Sequence, residues 1–295
     1  MTSATLDAQT GAKLFFKCEN FQRAGVFKAR GAFNCVFSLS EDAAANGVVS
    51  SSSGNHAAAL SLAARTRGIP AYIAMPKNAL KSKVAAVGRY GGNIVWVDAV
   101  GDTPTTEEYD AATTQIQAET NASPVHPYND CRTIAGQGTC AMEFLGESSD
   151  LDILLAPVGG GGLLSGTCVA GKGLRPHLRI IGCEPEMADD AQRSFRAGQV
   201  IPQVQPRTIA DGLRTSLGDI TYGLIASHVE DIVTVSEASI VSAMRLVWET
   251  LKIVIEPSSA VPLAAVLEGR VPVAGKSVGI ILTGGNVDLD KLPWL

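Results

Sequence analysis

The segment Gly25-Val26-Phe27-Lys28-Ala29-Arg30-Gly31 sets one lysine between an aromatic residue and small residues, at the mouth of a helical pattern. A lysine amine that has lost its proton attacks carbonyl carbon and forms a covalent imine, and apolar surroundings are what remove the proton. Most lysines do no such thing and are solvated surface charges. Three glycine-bearing turns offer complementary chemistry. Pro157-Val158-Gly159-Gly160-Gly161-Gly162-Leu163 precedes a helix. There glycine lets the backbone approach an anion, and the helix start adds free N–H groups and partial positive charge. A plain strand-to-helix turn rarely needs four glycines. Ser52-Ser53-Gly54-Asn55-His56 gathers two hydroxyls, an amide and an imidazole at another helix start; the same residue types cap helices with no further role. Thr283-Gly284-Gly285-Asn286 closes the last strand pattern and, alone, reads as a turn. The tetraglycine turn is neither GxGxxG with a following acid nor GxxxxGK[ST], so the dinucleotide and P-loop fingerprints are missing.

The elements that must position these residues alternate. Strand patterns at 14–18, 48–50, 71–74 and 93–97 are followed by helical patterns at 27–39, 55–66, 79–90 and 105–119. In the second half, strands at 153–156, 178–183 and 231–235 lead to helices at 162–173, from 188, and at 236–251; helix 257–267 precedes strand 278–282. Alternation of this kind predicts an α/β protein with two lobes, each a mostly parallel twisted sheet covered by helices. The run 47–129 is expected to form a small lobe, and 1–46 with 130–295 a large one. Ligands in such sheets bind beyond the carboxyl ends of the strands, where all three turns fall.

The totals narrow the function. Of 295 residues, 46% are hydrophobic and 18% charged, which suits a sizeable core and not a disordered chain. A net charge of −5 without a long basic run argues against nucleic acid as a partner. The six cysteines show no metal-ligand spacing, most fall in apolar contexts, and they read as reduced small hydrophobes of a cytoplasmic or organelle-stroma protein, with cytoplasmic the expectation. No secretory leader is visible. The charge-free stretch 153–171 is long enough to suggest a membrane span, but four consecutive glycines exclude a lipid-exposed helix. It is expected to fold as buried strand, loop and helix.

Taken together, the motifs resemble the serine/threonine dehydratase family of pyridoxal-phosphate enzymes, fold type II, the tryptophan synthase β-like fold. Seven carry the resemblance in the family's order across nearly the whole chain: 27–31, 52–56, Gly136-Gln137-Gly138-Thr139, 159–162, Glu184-Pro185 with Ala188-Asp189-Asp190, Thr208-Ile209-Ala210-Asp211-Gly212, and Gly284-Gly285-Asn286-Val287-Asp288-Leu289. The resemblance implies pyridoxal 5'-phosphate held as a Schiff base by Lys28, with Phe27 beside the ring and Asn55 on its 3′ oxygen. Gly159, Gly160, Gly161, Gly162 and Leu163 match the phosphate cup. Thr283 stands where the family usually has a serine facing the pyridine nitrogen. Ser52, Ser53, Asn55 and His56 match the loop that grips the substrate carboxylate. Simple threonine dehydratases commonly carry alanine at the place of Ser53, whereas racemising members use a serine there as a second proton-transfer group opposite the lysine. Glu184, Ala188 and Asp190 resemble the family's divalent-cation site, suited to Mg²⁺ or Ca²⁺.

The implied activity is racemisation of L-serine to D-serine together with β-elimination to pyruvate and ammonia. The runner-up is a dehydratase of threonine, serine or 3-hydroxyaspartate with little racemisation. From other classes, a nicotinamide oxidoreductase would need the absent glycine fingerprint, and a catalytically dead homologue need not hold the cofactor covalently. A homodimer is the family's habit, and ATP is an implied effector near Lys252 and Asn286. Two departures stand out. The chain begins after the helix and first strand with which family members open, which reads as a shortened or alternative start and bears on dimer and effector contacts. Gln115 occupies a place where some members put a basic residue toward the substrate carboxylate.

Overall fold

Short apolar runs rich in valine and isoleucine become strands, and the alanine-, leucine- and glutamate-bearing segments between them become helices. The computed structural model describes residues 1–52, 54–79, 81–98, 105–148 and 150–295. In chain order the elements are α1 (Ala4–Thr10), β1 (Lys13–Cys18), α2 (Lys28–Ser38), α3 (Glu41–Ala44), β2 (Val48–Ser51), α4 (Asn55–Arg67), β3 (Ala71–Pro76), α5 (Lys81–Arg89), β4 (Asn93–Val97), α6 (Thr106–Thr120) and β5 (Ser123–Pro124). There follow α7 (Cys131–Glu147), β6 (Ile153–Pro157), α8 (Gly162–Leu174), β7 (Arg179–Pro185), α9 (Asp190–Ala197), α10 (Asp219–His228), β8 (Asp231–Val235), α11 (Glu237–Leu251), α12 (Pro257–Leu267) and β9 (Ser277–Leu282).

The chain divides into two compact units, Met1–Phe27 with Gln137–Leu295, and Lys28–Gly136. The larger unit carries a five-stranded sheet in the order β1-β9-β6-β7-β8, every neighbouring pair parallel. Parallel strands are covered on both faces and so are apolar throughout, as β6 is: all of its residues are buried. One face packs against α11 and α12 through residues such as Met244, Val247, Val261 and Leu263. The other face packs through Leu154 and Ile180 against Leu163, Leu164 and Cys168 of α8. Each large aliphatic side chain buried in this way contributes roughly 1.5–3 kcal/mol. The charge-free stretch folds as strand, loop and helix, and among the described residues no helix is long and apolar enough to cross a membrane.

The smaller unit carries a four-stranded parallel sheet, β4-β3-β2-β5. Its main core joins Ala32, Cys35 and Val36 of α2 to Ala57, Leu60, Ala63 and Ala64 of α4. That packing brings α2 into the unit, which therefore starts at Lys28 and not at 47, and ends at Gly136 and not at 129. Four helices have no counterpart in the sequence reading: α1, α3, α7 and α10. In α7 the glycines hid the pattern. A Cβ on Gly136 would lie 2.6 Å from the Arg30 carbonyl oxygen, and one on Gly138 2.9 Å from that of Gly166. Both glycines admit close backbone approach to a neighbouring helix.

Candidate active site

In the larger unit, β6 and β9 are neighbours, so the turns beyond their carboxyl ends emerge side by side. The β6 turn is the glycine run. Gly161 has φ +87°, the left-handed region that side chains avoid. A Cβ there would lie 2.8 Å from Leu217 Cδ2 and 2.9 Å from Thr221 Cβ. A Cβ on Gly159 would lie 3.0 Å from the Gly212 carbonyl oxygen. Thr221, fully buried, donates its hydroxyl to the Gly160 carbonyl at 2.8 Å. Gly161 is the cap of α8, and no side chain bonds to the helix start from that position. A cradle without side chains at an uncapped helix start suits a phosphate.

The β9 turn begins with Thr283, 3% exposed, whose hydroxyl lies 3.0 Å from that of Ser259 on α12. Ser259 Oγ also accepts from Gly284 N and lies in donor range of the Gly284 carbonyl, each at 2.7 Å. The same turn zips to the segment that ends in Phe27. Phe27 N donates to the Thr283 carbonyl at 2.9 Å, Gly285 N to that of Gly25 at 3.0 Å, and Asn286 Nδ2 to that of Ala24 at 3.0 Å. Phe27 packs on the α8 side of the sheet.

In the smaller unit, β2 and β5 are neighbours. Beyond β2 lies the turn with Ser52, Asn55 and His56; beyond β5 lie Val125, His126 and Pro127. Lys28, first residue of α2, donates from Nζ to the Pro127 carbonyl at 2.8 Å. Part of the residue's surface is accessible, yet its amine is enclosed enough for burial to lower the pKa to about 8. Such an amine is far more often neutral than an ordinary lysine. His56 is 2% exposed and neither ring nitrogen has a hydrogen-bond partner. Burial first, then the positive charges of Lys28 and His126, push it down to about 3; the Val125 backbone acts weakly in the opposite sense. His56 is therefore a neutral imidazole. Ser52 Oγ accepts from Gly54 N at 3.2 Å and Ala57 N at 3.3 Å, shaping the start of α4.

The proposed cation ligands lie together at the end of β7. Glu184 is 1% exposed, and its two oxygens accept from Ala191 N at 3.0 Å and Gln192 N at 2.8 Å. Asp190 is equally enclosed; one oxygen accepts from Leu217 N at 3.3 Å and the other has no partner. Burial, and then the charge of Asp190, raise Glu184 well above the carboxylate range; burial raises Asp190 to about 7. Ala188 is buried as well, its N–H donating to the Pro185 carbonyl at 3.0 Å. Among the described residues no group of three or more His, Cys, Asp or Glu side chains could hold a metal. A cation here would take two carboxylates, carbonyl oxygen and water, which suits a hard ion.

The expected site residues thus fall into two sets. Phe27, Gly159 to Leu163, Thr283, Glu184, Ala188 and Asp190 belong to the larger unit, and Lys28, Ser52, Asn55 and His56 to the smaller. Ser53 lies outside the described residues. Sequence reading missed Pro127, Thr221 and Ser259, whose contributions are a backbone carbonyl or a hydroxyl in contact with a distant turn. Nothing local marks them.

Residues 1–284 match the family described as pyridoxal-phosphate dependent enzyme. A beta-hydroxyaspartate dehydratase of Paracoccus denitrificans (strain Pd 1222) is 53% identical over 99% of this chain and 91% of its own. A serine racemase of Arabidopsis thaliana is 48% identical over 99% of this chain and 88% of its own. Among solved structures, that of maize serine racemase aligns with a TM-score of 0.94 and 45% identity, covering 98% of this chain and 88% of that one.

Proposed function

This chain belongs to the pyridoxal-phosphate dependent enzymes, and from that premise we propose that it racemises serine and also eliminates water from it, giving pyruvate and ammonia. The observation that carries the reading is Lys28: an enclosed amine, lowered to about 8, donating to a backbone carbonyl. When bound, pyridoxal phosphate supplies an aldehyde that joins amines and a ring that delocalises the electron pair left at Cα. Lys28 Nζ would hold the cofactor through its aldehyde carbon and, as a free neutral amine, would take the proton from substrate Cα. Ser53 would return a proton to Cα on the other face; where it does not, the β-hydroxyl would leave as water, and hydrolysis of the remaining enamine gives pyruvate and ammonia. Ser52, Ser53, Asn55 and His56 orient the substrate carboxylate. Gly159 to Leu163 donate backbone N–H groups to the phosphate, Phe27 flanks the ring, Asn55 meets its 3′ oxygen and Thr283 its nitrogen.

The same reading gives Glu184, Ala188 and Asp190 a Mg²⁺ or Ca²⁺ ion, supported by the unpartnered Asp190 oxygen. It takes the protein to be a cytoplasmic homodimer and ATP an effector near Lys252 and Asn286. Borohydride reduction of the loaded protein should leave the cofactor attached to the Lys28 peptide in a mass map. A map with that peptide unmodified sinks the proposal. Ser53→Ala should suppress D-serine formation while sparing pyruvate formation from L-serine; racemisation at the parent rate would remove Ser53 from its role.

A second reading has one observation in its favour. The 53% identity to a beta-hydroxyaspartate dehydratase exceeds the 48% to a serine racemase, which favours elimination from 3-hydroxyaspartate with little racemisation. Parallel assays of both substrates, with chiral analysis of residual serine, separate the two.

A further inference from the structure

Resting on the substrate loop assigned above, we infer that Lys83 receives the second carboxylate of a dicarboxylic hydroxyamino acid and so sets the choice between 3-hydroxyaspartate and serine. The argument lies within the smaller unit. Helix α4 begins at Asn55 with Gly54 as its cap; no side chain of the cap bonds to it, and its first turn carries no acidic residue. Such a start favours an anion. His56, in the same turn, is buried beside the Val125 backbone, and neither ring nitrogen makes a hydrogen bond of ordinary geometry, so it has bonding capacity to spare. Ser52 adds a hydroxyl that already accepts from Gly54 N and Ala57 N.

Over this loop stands Lys83 of α5. A Cβ on Gly54 would lie 3.2 Å from Lys83 Nζ, 3.4 Å from Cδ and 3.6 Å from Cε. The missing side chain of Gly54 therefore leaves the lysine's outer half room to lie on the loop backbone. Gln115, the uncharged residue where some family members have a cation, spends its amide on Glu119 Oε1 at 2.9 Å. A second cation for the substrate must come from elsewhere, and Lys83 already stands at the loop. The two carboxylates of 3-hydroxyaspartate are separated by only two carbons. One loop can hold the first with the Ser52 hydroxyl, the Asn55 amide and helix N–H groups while an ammonium beside its glycine takes the second. Serine offers that ammonium only a neutral hydroxyl.

The test uses the loaded enzyme with Lys83→Met and Lys83→Arg. In Lys83→Met the ratio of kcat/KM for L-threo-3-hydroxyaspartate to that for L-serine should fall roughly 10- to 100-fold, the effect of losing one charge-assisted hydrogen bond, chiefly through KM. Lys83→Arg should restore most of the ratio. Succinate and butyrate have the same carbon chain with two carboxylates and one. By calorimetry, Lys83→Met should lose affinity for succinate but keep its affinity for butyrate. An unchanged ratio, an equal fall for both substrates, or equal losses of succinate and butyrate would overturn the assignment. If the parent protein turns over neither amino acid, the reaction proposed above fails, and the succinate-to-butyrate comparison still decides Lys83.

Discussion

The larger unit makes its contribution from backbone, and the smaller one from side chains displaced from their ordinary ionisation. At the glycine turn, Gly159 and Gly161 are enclosed so tightly that a single methyl group would collide with Leu217, Thr221 or the 212–213 backbone. That region offers N–H groups and shape, and pH does not act on it. Around Lys28 and His56, enclosure acts on charge: one amine falls to about 8 and one imidazole to about 3. The first region is vulnerable to volume and the second to electrostatics. Substitutions in the two should therefore fail in different ways.

The largest expected effect is that of Lys28→Ala. Both racemisation and elimination should drop by roughly a thousandfold or more, since the covalent and acid–base roles proposed for Lys28 vanish together. The variant should still bind pyridoxal phosphate without a covalent bond, because the backbone donors are untouched. Complete loss of cofactor on gel filtration would break the separation between the regions. Gly161→Ala comes next. Forcing a side chain into φ +87° costs roughly 1–2 kcal/mol and overpacking against Leu217 and Thr221 a further 1–3. Thermal melts should show lower stability and cofactor titration a weaker Kd, with the Lys28 amine unchanged in its titration.

That titration is itself a measurement. Only the neutral amine attacks an aldehyde, so the loading rate of apoprotein should climb about tenfold per pH unit and level off near pH 8, where the Lys28 amine becomes mostly neutral. A rise that continues toward 10.5 would show an ordinary lysine. The linkage has a definite sign: between about 8 and 10.5 the unfolded chain holds this proton and the folded protein does not, so Lys28 makes apoprotein stability increase with pH across that window.

The contrast also explains what was legible in the sequence. Strand and helix alternation survives in local patterning, and the glycine turn announces itself because four glycines in a row have few structural uses. Lys28 drew attention in the sequence through its neighbours. The carbonyl it meets did not, because Pro127 lies 99 positions away and contributes no side-chain chemistry. Helix α7 was missed because Gly136 and Gly138 lower helix propensity locally, and only tertiary contact with Arg30, Gly31 and Gly166 explains them. The start of the smaller unit at Lys28 likewise depends on α2 packing on α4, a contact that periodicity does not report.

One side-chain cluster sits inside the backbone-built unit and sharpens the contrast. Glu184 and Asp190 are enclosed carboxylates, and one Asp190 oxygen lacks a partner. If Mg²⁺ or Ca²⁺ binds there, the ion should raise the parent melting temperature by an amount that grows with ion concentration, about 2.7 kcal/mol of stability at a hundred times Kd. Asp190→Asn should abolish that gain. A gain of the same size in the variant would place the ion elsewhere.

Ser259→Ala should have the smallest effect, and it tests the joint between shape and chemistry. Ser259 has one hydroxyl proton, and its short 2.7 Å contact with the Gly284 carbonyl is the natural place for it. Its lone pairs then accept from Gly284 N at 2.7 Å and from the Thr283 hydroxyl at 3.0 Å. On that count the Thr283 proton is already engaged by Ser259. Removing the serine hydroxyl leaves Gly284 N without this acceptor, which should cost about 1–3 kcal/mol, while the Gly284 carbonyl keeps its bond from Glu256 N. It also frees the Thr283 proton. The apoprotein should melt lower, and cofactor affinity should not fall with it. A parallel loss of affinity would mean that Thr283 needs Ser259 to hold its position, and that in this turn, too, shape outweighs chemistry.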